Sequence, residues 1–182
     1  MNNTTSCLKN NRINLHKLTI VQLAFITAFA LTLYVLESFI PKPFPFMKLG
    51  LSNIVLIILL IAGNLRAAII VIFAKSIFGG FFTGTIFTPT TLLSLSGSIF
   101  AFLTMLFFIK SKLPFSFIGI SVLGAIAHNL GQLLMVRTIL IKENSIFYLT
   151  PLLILMGIVT GIIIGYVAGK FYKIGFYEKE NS

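Results

Sequence analysis

The sequence predicts an all-α integral membrane bundle of about six transmembrane helices. Three observations carry this. Apolar residues make up 57% of the chain and only 10% are charged, whereas a soluble domain carries roughly 25% charged residues; mean hydropathy is +1.03. The apolar residues fall into six stretches separated by prolines, glycines or basic clusters. The polar residues in or beside those stretches are few: Glu37, Lys48, Asn53, Lys75, His128, Asn129, Gln132 and Arg137. An ionisable group near the bilayer centre is costly, so it faces a bundle interior, a partner or a water-filled cavity.

The elements follow in order. Residues 1–16 are polar and rich in Asn, and are expected to form a disordered N-terminal tail. Cys7, the only cysteine, sits there as a lone thiol, so no intrachain disulfide forms. The first span is Leu18 to Leu36, long enough to cross a ~30 Å core. Ala28-Phe29-Ala30 resembles a signal-peptidase site, but the apolar run continues unbroken to Leu36, so the segment is read as a retained helix. Pro41, Pro43 and Pro45 then exclude regular helix.

The second span, Leu49 to Gly63, is short. The third, Ala67 to Phe82, contains Lys75 and ends in a Gly79-Gly80 break. The stretch from Gly79 to Thr90 reads as an irregular or partly inserted loop. The fourth span is Thr91 to Ile109, followed by Lys110, Lys112 and Pro114. The fifth is Phe115 to Ile141 and the sixth Phe147 to Tyr172. Residues 17–173 thus form one transmembrane domain, and 174–182 a charged C-terminal tail.

Six spans put both termini on one side. Lys9, Arg12, Lys17, Arg66, Lys110, Lys112, Lys170, Lys173 and Lys179 fall on that side, against Lys42, Lys48 and Lys142 opposite. The positive-inside rule therefore puts both termini in the cytoplasm of a bacterial-type cell membrane. A re-entrant hairpin formed by residues 49–82 is the alternative to two crossings. Six spans are favoured because Arg66 suits a cytoplasmic turn and is costly at mid-membrane.

The net charge of +10 does not describe a nucleic-acid surface, because the basic residues are split among loop ends. It suits orientation and contact with anionic lipid headgroups. In the sixth span, Gly157, Gly161, Gly165 and Gly169 recur every four residues and make one smooth stripe. Packing within this chain is the plainer reading, and contact with a partner is the other. Ala24 and Ala28 form a smaller pair of the same kind.

Two regions carry candidate chemistry. Near the outer end of the first span, Glu37 is followed by the proline loop and Lys48-Leu-Gly-Leu-Ser-Asn53. Glu37 and Lys48 either snorkel to water or form a pair at the mouth of an outward-facing pocket. In the fifth span, His128 and Gln132 are one helical turn apart with Asn129 beside them. These three groups need partners inside the bundle. They serve either as interhelical hydrogen bonds or as substrate contacts, with Arg137 or Lys48 meeting an anionic group. No second His, Cys or carboxylate stands at ligand spacing from His128, and His16 lies in the tail, so neither a metal site nor a cofactor is expected.

Several of these blocks resemble one family. They are Glu37 with the proline loop, Lys48-Leu-Gly-Leu-Ser-Asn-Ile54, Ser94-Leu-Ser-Gly97, Val122-Leu-Gly-Ala-Ile-Ala-His-Asn-Leu-Gly-Gln132 and Gly157-Ile-Val-Thr-Gly161. Together, from about residue 17 to 172, the chain resembles the Gx transporter family, also labelled heptaprenyl diphosphate synthase component I. The resemblance implies a bundle similar to the substrate-binding (S) components of energy-coupling factor transporters. There the substrate sits near the outer face, and an Ala-x-x-x-Ala pair, here Ala24 and Ala28, meets a coupling subunit. Family members also resemble a membrane protein of flavin-based extracellular electron transfer linked to demethylmenaquinone.

The synthase label has to meet the chemistry. Chain-elongating prenyl synthases hold Mg²⁺ and diphosphate with Asp-rich motifs, because hard cations take carboxylate oxygens. This chain contains no Asp, and Glu37 is its only carboxylate in a span. It also lacks a phosphate-binding Gly-x-x-x-x-Gly-Lys-Ser/Thr motif, so ATP hydrolysis would belong to a partner. The expected role is non-catalytic. The first expectation is a substrate-binding subunit of an uptake transporter for a small, partly apolar, anionic molecule such as an isoprenoid or quinone precursor. Glu37, Lys48, Asn53, His128, Asn129, Gln132 and Arg137 would line its pocket, and an energy-coupling subunit with ATPases would be its partners. The alternative is an accessory subunit of heptaprenyl diphosphate or menaquinone synthesis, or of electron transfer, with a prenyl synthase or redox partner. A purely structural scaffold is the third reading.

Overall fold

The computed structural model describes residues 19–40, 48–111, 115–140 and 144–180, with residues 144–145 and 172–180 described by their backbone alone. The expected N-terminal tail with Cys7 and His16, the Pro41-Pro43-Pro45 loop with Lys42, and Lys112 and Lys142 lie outside the described residues.

The described residues form six α-helices and no strand: α1 Ile20–Phe39, α2 Asn53–Ile61, α3 Leu65–Phe82, α4 Pro89–Lys110, α5 Phe117–Ile139 and α6 Thr150–Glu180. A 3₁₀ helix, Asn144–Leu149, precedes α6. Five helices are long and apolar enough to cross a membrane, as expected of a multi-pass bundle. Helix starts follow local chemistry. Thr19 N–H donates to the Gln22 side chain at 3.1 Å before α1, Pro89 occupies the first turn of α4, and Ser116 Oγ accepts from Gly119 N–H at 3.1 Å to cap α5.

The second span departs most from its sequence reading. Helix begins only at Asn53, and α2 has nine residues, roughly 14 Å of helix. The segment Lys48–Ser52 ahead of it is non-helical yet largely buried, with Gly50 at φ +81°. The end of α1 meets this segment through Glu37, and α3 meets it through Lys75. Further along, Ile54 and Ile58 share a cleft with Phe25 and Phe29 of α1. The chain from Lys48 to Gly63 therefore descends alongside α1, part irregular and part helical. Arg66 comes to lie at the end of the bundle where α1 starts.

The Gly79-Gly80 pair does not break α3, which continues to Phe82. The two glycines serve close approach instead. A side chain at Gly79 would overlap the Tyr34 ring, and one at Gly80 would come within 2.6 Å of Thr91 Oγ1. The irregular stretch shortens to residues 83–88.

The glycine stripe of α6 packs on α5. A Cβ on Gly157 would stand 3.0 Å from the Ile126 backbone, one on Gly161 2.5 Å from Val122 Cα, and one on Gly165 2.6 Å from Ile118 Cα. This is packing within the chain, with two backbones in near contact. The main core draws on all six helices, around Leu56, Ile57, Ala68, Val71, Ala101 and Met105, with Ala168 from α6. Helix α1 is the least enclosed, with 17% of its span buried. It turns Ala24 and Ala28 outward.

Candidate binding site

Most of the polar residues singled out in the sequence meet at one place. They converge on Lys48–Asn53, a largely buried stretch whose backbone lies outside regular helix up to Ser52 and must find hydrogen bonds elsewhere. Glu37 of α1 supplies the first set: Gly50 N–H donates to Oε1 at 2.8 Å and Leu51 N–H to Oε2 at 3.0 Å. Gln132 of α5 supplies the second. Its Oε1 accepts from Lys48 N–H at 3.1 Å, and its Nε2 donates to Lys48 C=O at 3.2 Å. Lys75 of α3 supplies the third, donating to Ser52 Oγ at 2.7 Å and Asn53 Oδ1 at 3.1 Å. Three helices thus hold the segment through side chains.

The Gln132 pairing also settles the form of His128. Gln132 Nε2 carries hydrogens and lies 2.8 Å from His128 Nε2, so the imidazole nitrogen there accepts and the ring proton is on Nδ1. That side of the ring packs on Gly97, where a Cβ would fall 2.8 Å from Nδ1. The opposite edge faces Gly50, where a Cβ would lie 3.1 Å from His128 Cδ2 and 2.8 Å from Asn53 Nδ2. Two glycines on different segments therefore make room for one imidazole. Asn53 Nδ2 is buried without a hydrogen-bond partner.

Glu37 and Lys48 do not snorkel, being 1% and 4% exposed. The Glu37 carboxylate is engaged by backbone N–H groups, and Lys48 Nζ stands 3.1 Å over the Tyr34 ring as a cation–π contact. Lys75 is fully enclosed. Two ammonium groups and one carboxylate thus occupy one buried cluster, which carries excess positive charge. Such a cluster attracts an anion far more strongly than the same groups would in water.

Two expected members stand apart. Asn129 points away from the cluster and donates through Nδ2 to Leu153 C=O of α6 at 2.9 Å, which ties two helices together. Arg137 lies further along α5, half-buried, with its guanidinium carbon 5.4 Å over Phe147. Sequence reading placed Lys75 in a span without assigning it to the site, noted Ser52 and Gly97 only as members of longer blocks, and missed Tyr34. The isolated lysine in an apolar helix was the available signal. Among the described residues, no group of three or more His, Cys, Asp or Glu is placed to hold a metal ion.

A second feature lies toward the opposite end of the bundle. Between α1, α2 and α6 runs a cleft of about 420 Å³, lined only by apolar residues, with Phe25, Phe29, Ile54, Ile58, Leu59 and Phe171 among them.

The family model for heptaprenyl diphosphate synthase component I matches residues 26–171. The chain belongs to that family. The match contains all of the buried cluster and every cleft-lining residue except Phe25. No curated protein and no solved structure matches the chain.

Proposed function

We propose that this member of the component I family is a non-catalytic membrane subunit that binds a small, partly apolar, anionic molecule, of the isoprenoid or quinone-precursor class, and passes it to a partner complex. One observation carries the reading: Glu37, Lys48, Asn53, Lys75, His128 and Gln132 gather at one level of an apolar bundle, with cations in excess. Burying so many polar groups solely to hold helices together is weakly rewarded, since interhelical hydrogen bonds in membranes average about 0.6 kcal/mol. Binding an anion gives the surplus charge a purpose. Lysines and arginines concentrated at the end that holds the termini support a cytoplasmic location for both termini.

Uptake is the first reading of how the molecule moves. It requires an energy-coupling partner, for which the outward-facing Ala24 and Ala28 on the loosely packed α1 offer a close-approach surface. The family description favours a second reading, in which the subunit serves a prenyl diphosphate synthase without transport of its own. Mass spectrometry of the gently solubilised native complex separates the two. A coupling subunit with ATPases supports uptake, and a prenyl synthase or a quinone-linked redox protein without ATPases supports the accessory role. Purification of the protein alone, with no small molecule retained in either setting, would count against both.

A further inference from the structure

We propose that the buried cluster takes a ligand group with a single negative charge, a carboxylate, and that one carboxylate oxygen sits between Lys75 Nζ and Asn53 Nδ2. The proposal rests on the anion reading above and names the chemistry of the anionic group.

Charge sets the first limit. Among the described residues, the buried acidic and basic side chains are Glu37, Lys48, Lys75 and His128. His128 is neutral, because its Nε2 accepts from the Gln132 amide. Glu37 receives a backbone N–H on each oxygen, which is the arrangement of an ionised carboxylate. The Lys48 ammonium lies over the Tyr34 ring, and the Lys75 ammonium bonds Ser52 and Asn53. One positive charge is therefore left over. A monoanion brings the cluster to neutrality. A phosphate ester carries roughly two negative charges at neutral pH, and a diphosphate carries more. Both overshoot, and an unbalanced charge in so enclosed a site is unfavourable whichever its sign.

Hydrogen-bonding capacity gives the place. An ammonium has three donors, and Lys75 uses two of them, on Ser52 Oγ at 2.7 Å and Asn53 Oδ1 at 3.1 Å. The other end of the same Asn53 amide, Nδ2, is buried and has no hydrogen-bond partner. A buried amide donor left unpaired is costly, so this one requires an acceptor. The two ends of an amide lie ~2.2 Å apart, which puts Lys75 Nζ and Asn53 Nδ2 at most about 5.3 Å from each other. A single oxygen reaches both at ordinary hydrogen-bond lengths. Asn53 is also the first residue of α2, so the positive end of that helix dipole adds to the attraction.

The test uses the full chain in phosphatidylcholine nanodiscs, titrated calorimetrically at neutral pH with benzoate, phenyl phosphate and benzamide. These probes share one apolar part and differ in charge. Benzoate is expected to bind at least about tenfold more tightly than either of the others. Glu37→Gln adds one positive charge and should reverse the order in favour of phenyl phosphate. Asn53→Asp cancels the surplus charge and removes the Nδ2 donor while keeping an acceptor for Lys75. It should lose benzoate without a lower melting temperature, which keeps the test independent of whether the Glu37 variant folds. Phenyl phosphate ahead of benzoate in the parent, or benzoate affinity unchanged by Asn53→Asp, would overturn the carboxylate assignment while leaving anion binding intact. An unreversed order in folded Glu37→Gln protein would do the same. Displacement of benzoate by chloride at matched concentration would show that any monoanion fits, and would overturn the commitment to a carboxylate. Benzamide binding as tightly as benzoate, or no binding of any probe, would overturn both this assignment and the anion reading.

Discussion

Replacing Gln132 by Leu should destabilise the protein well beyond the loss of one side-chain hydrogen bond. The Gln132 amide engages three groups: Lys48 N–H, Lys48 C=O and His128 Nε2, at 3.1, 3.2 and 2.8 Å. Leucine is close in volume, so cavity formation contributes little. The cost lies in the stranded partners. Gln132 and His128 are fully enclosed and Lys48 is nearly so, so water does not replace the amide. A buried donor or acceptor left without a partner costs about 1–3 kcal/mol. A carbonyl tolerates this better than an N–H, and the three together give roughly 2–5 kcal/mol. Asn129→Leu is the matched comparison, since the same helix loses one bond, to Leu153 C=O. A single interhelical bond in a membrane is worth about 0.6 and at most about 1.7 kcal/mol. Titration of both variants with a denaturing detergent, followed by circular dichroism, should therefore place Gln132→Leu clearly below Asn129→Leu. Hydrogen exchange should speed up at Lys48, Gly50 and Leu51 only in the former. Equal stability of the two variants, with exchange at residues 48–51 unchanged, would refute the claim that Gln132 holds the segment's backbone.

Three further outcomes follow from the same geometry. Lys75→Met strands the buried Ser52 Oγ and Asn53 Oδ1, which the ammonium bonds at 2.7 and 3.1 Å, and should cost about 2–4 kcal/mol in the same titration while losing the anionic ligand from the purified complex; retention of that ligand would contradict the role given to this charge. Along the α6 stripe, Gly161→Ala puts a Cβ 2.5 Å from Val122 Cα and should cost about 1–3 kcal/mol. Gly169→Ala meets Phe117 only at 3.8 Å and should be neutral or gain up to ~1 kcal/mol from helix propensity; a reversed order would contradict the packing of α6 on α5. Ala24→Leu with Ala28→Leu should leave detergent stability unchanged, because both positions face outward, while abolishing co-purification of a coupling subunit; undiminished co-purification would remove α1 as the docking helix.

Much of the fold was legible in the chain because membrane crossing is a demand on composition and length. A helix in lipid satisfies its own backbone, so long apolar runs bounded by proline or charge mark α1, α3, α4 and α5 to within a few residues; α6 starts where expected but runs on to Glu180, eight residues past Tyr172 and into the stretch expected to be a tail. The second span was misjudged for a related reason. Apolar composition says that Leu49–Leu51 can be buried, but not that their backbone is non-helical. That conformation depends on the carboxylate of Glu37 and the amide of Gln132, which approach from distant parts of the chain.

The candidate site divides along the same line. That His128 and Gln132 need buried partners was determined by the sequence, since such groups among apolar residues cannot face lipid at low cost; for Glu37 and Lys48 the sequence left snorkelling to water equally open. Which partners they take was decided only by tertiary structure. His128, Asn129 and Gln132 are neighbours on one helix, yet their directions differ: Gln132 and His128 turn to the Lys48–Asn53 segment, while Asn129 turns to α6. The glycine stripe was equally visible, but its partner became known only from the backbone of α5 lying against it. Periodicity reports which residues share a face of a helix. What covers that face depends on how the helices cross, and hydrogen-bond geometry over a few ångströms then selects among the groups within reach.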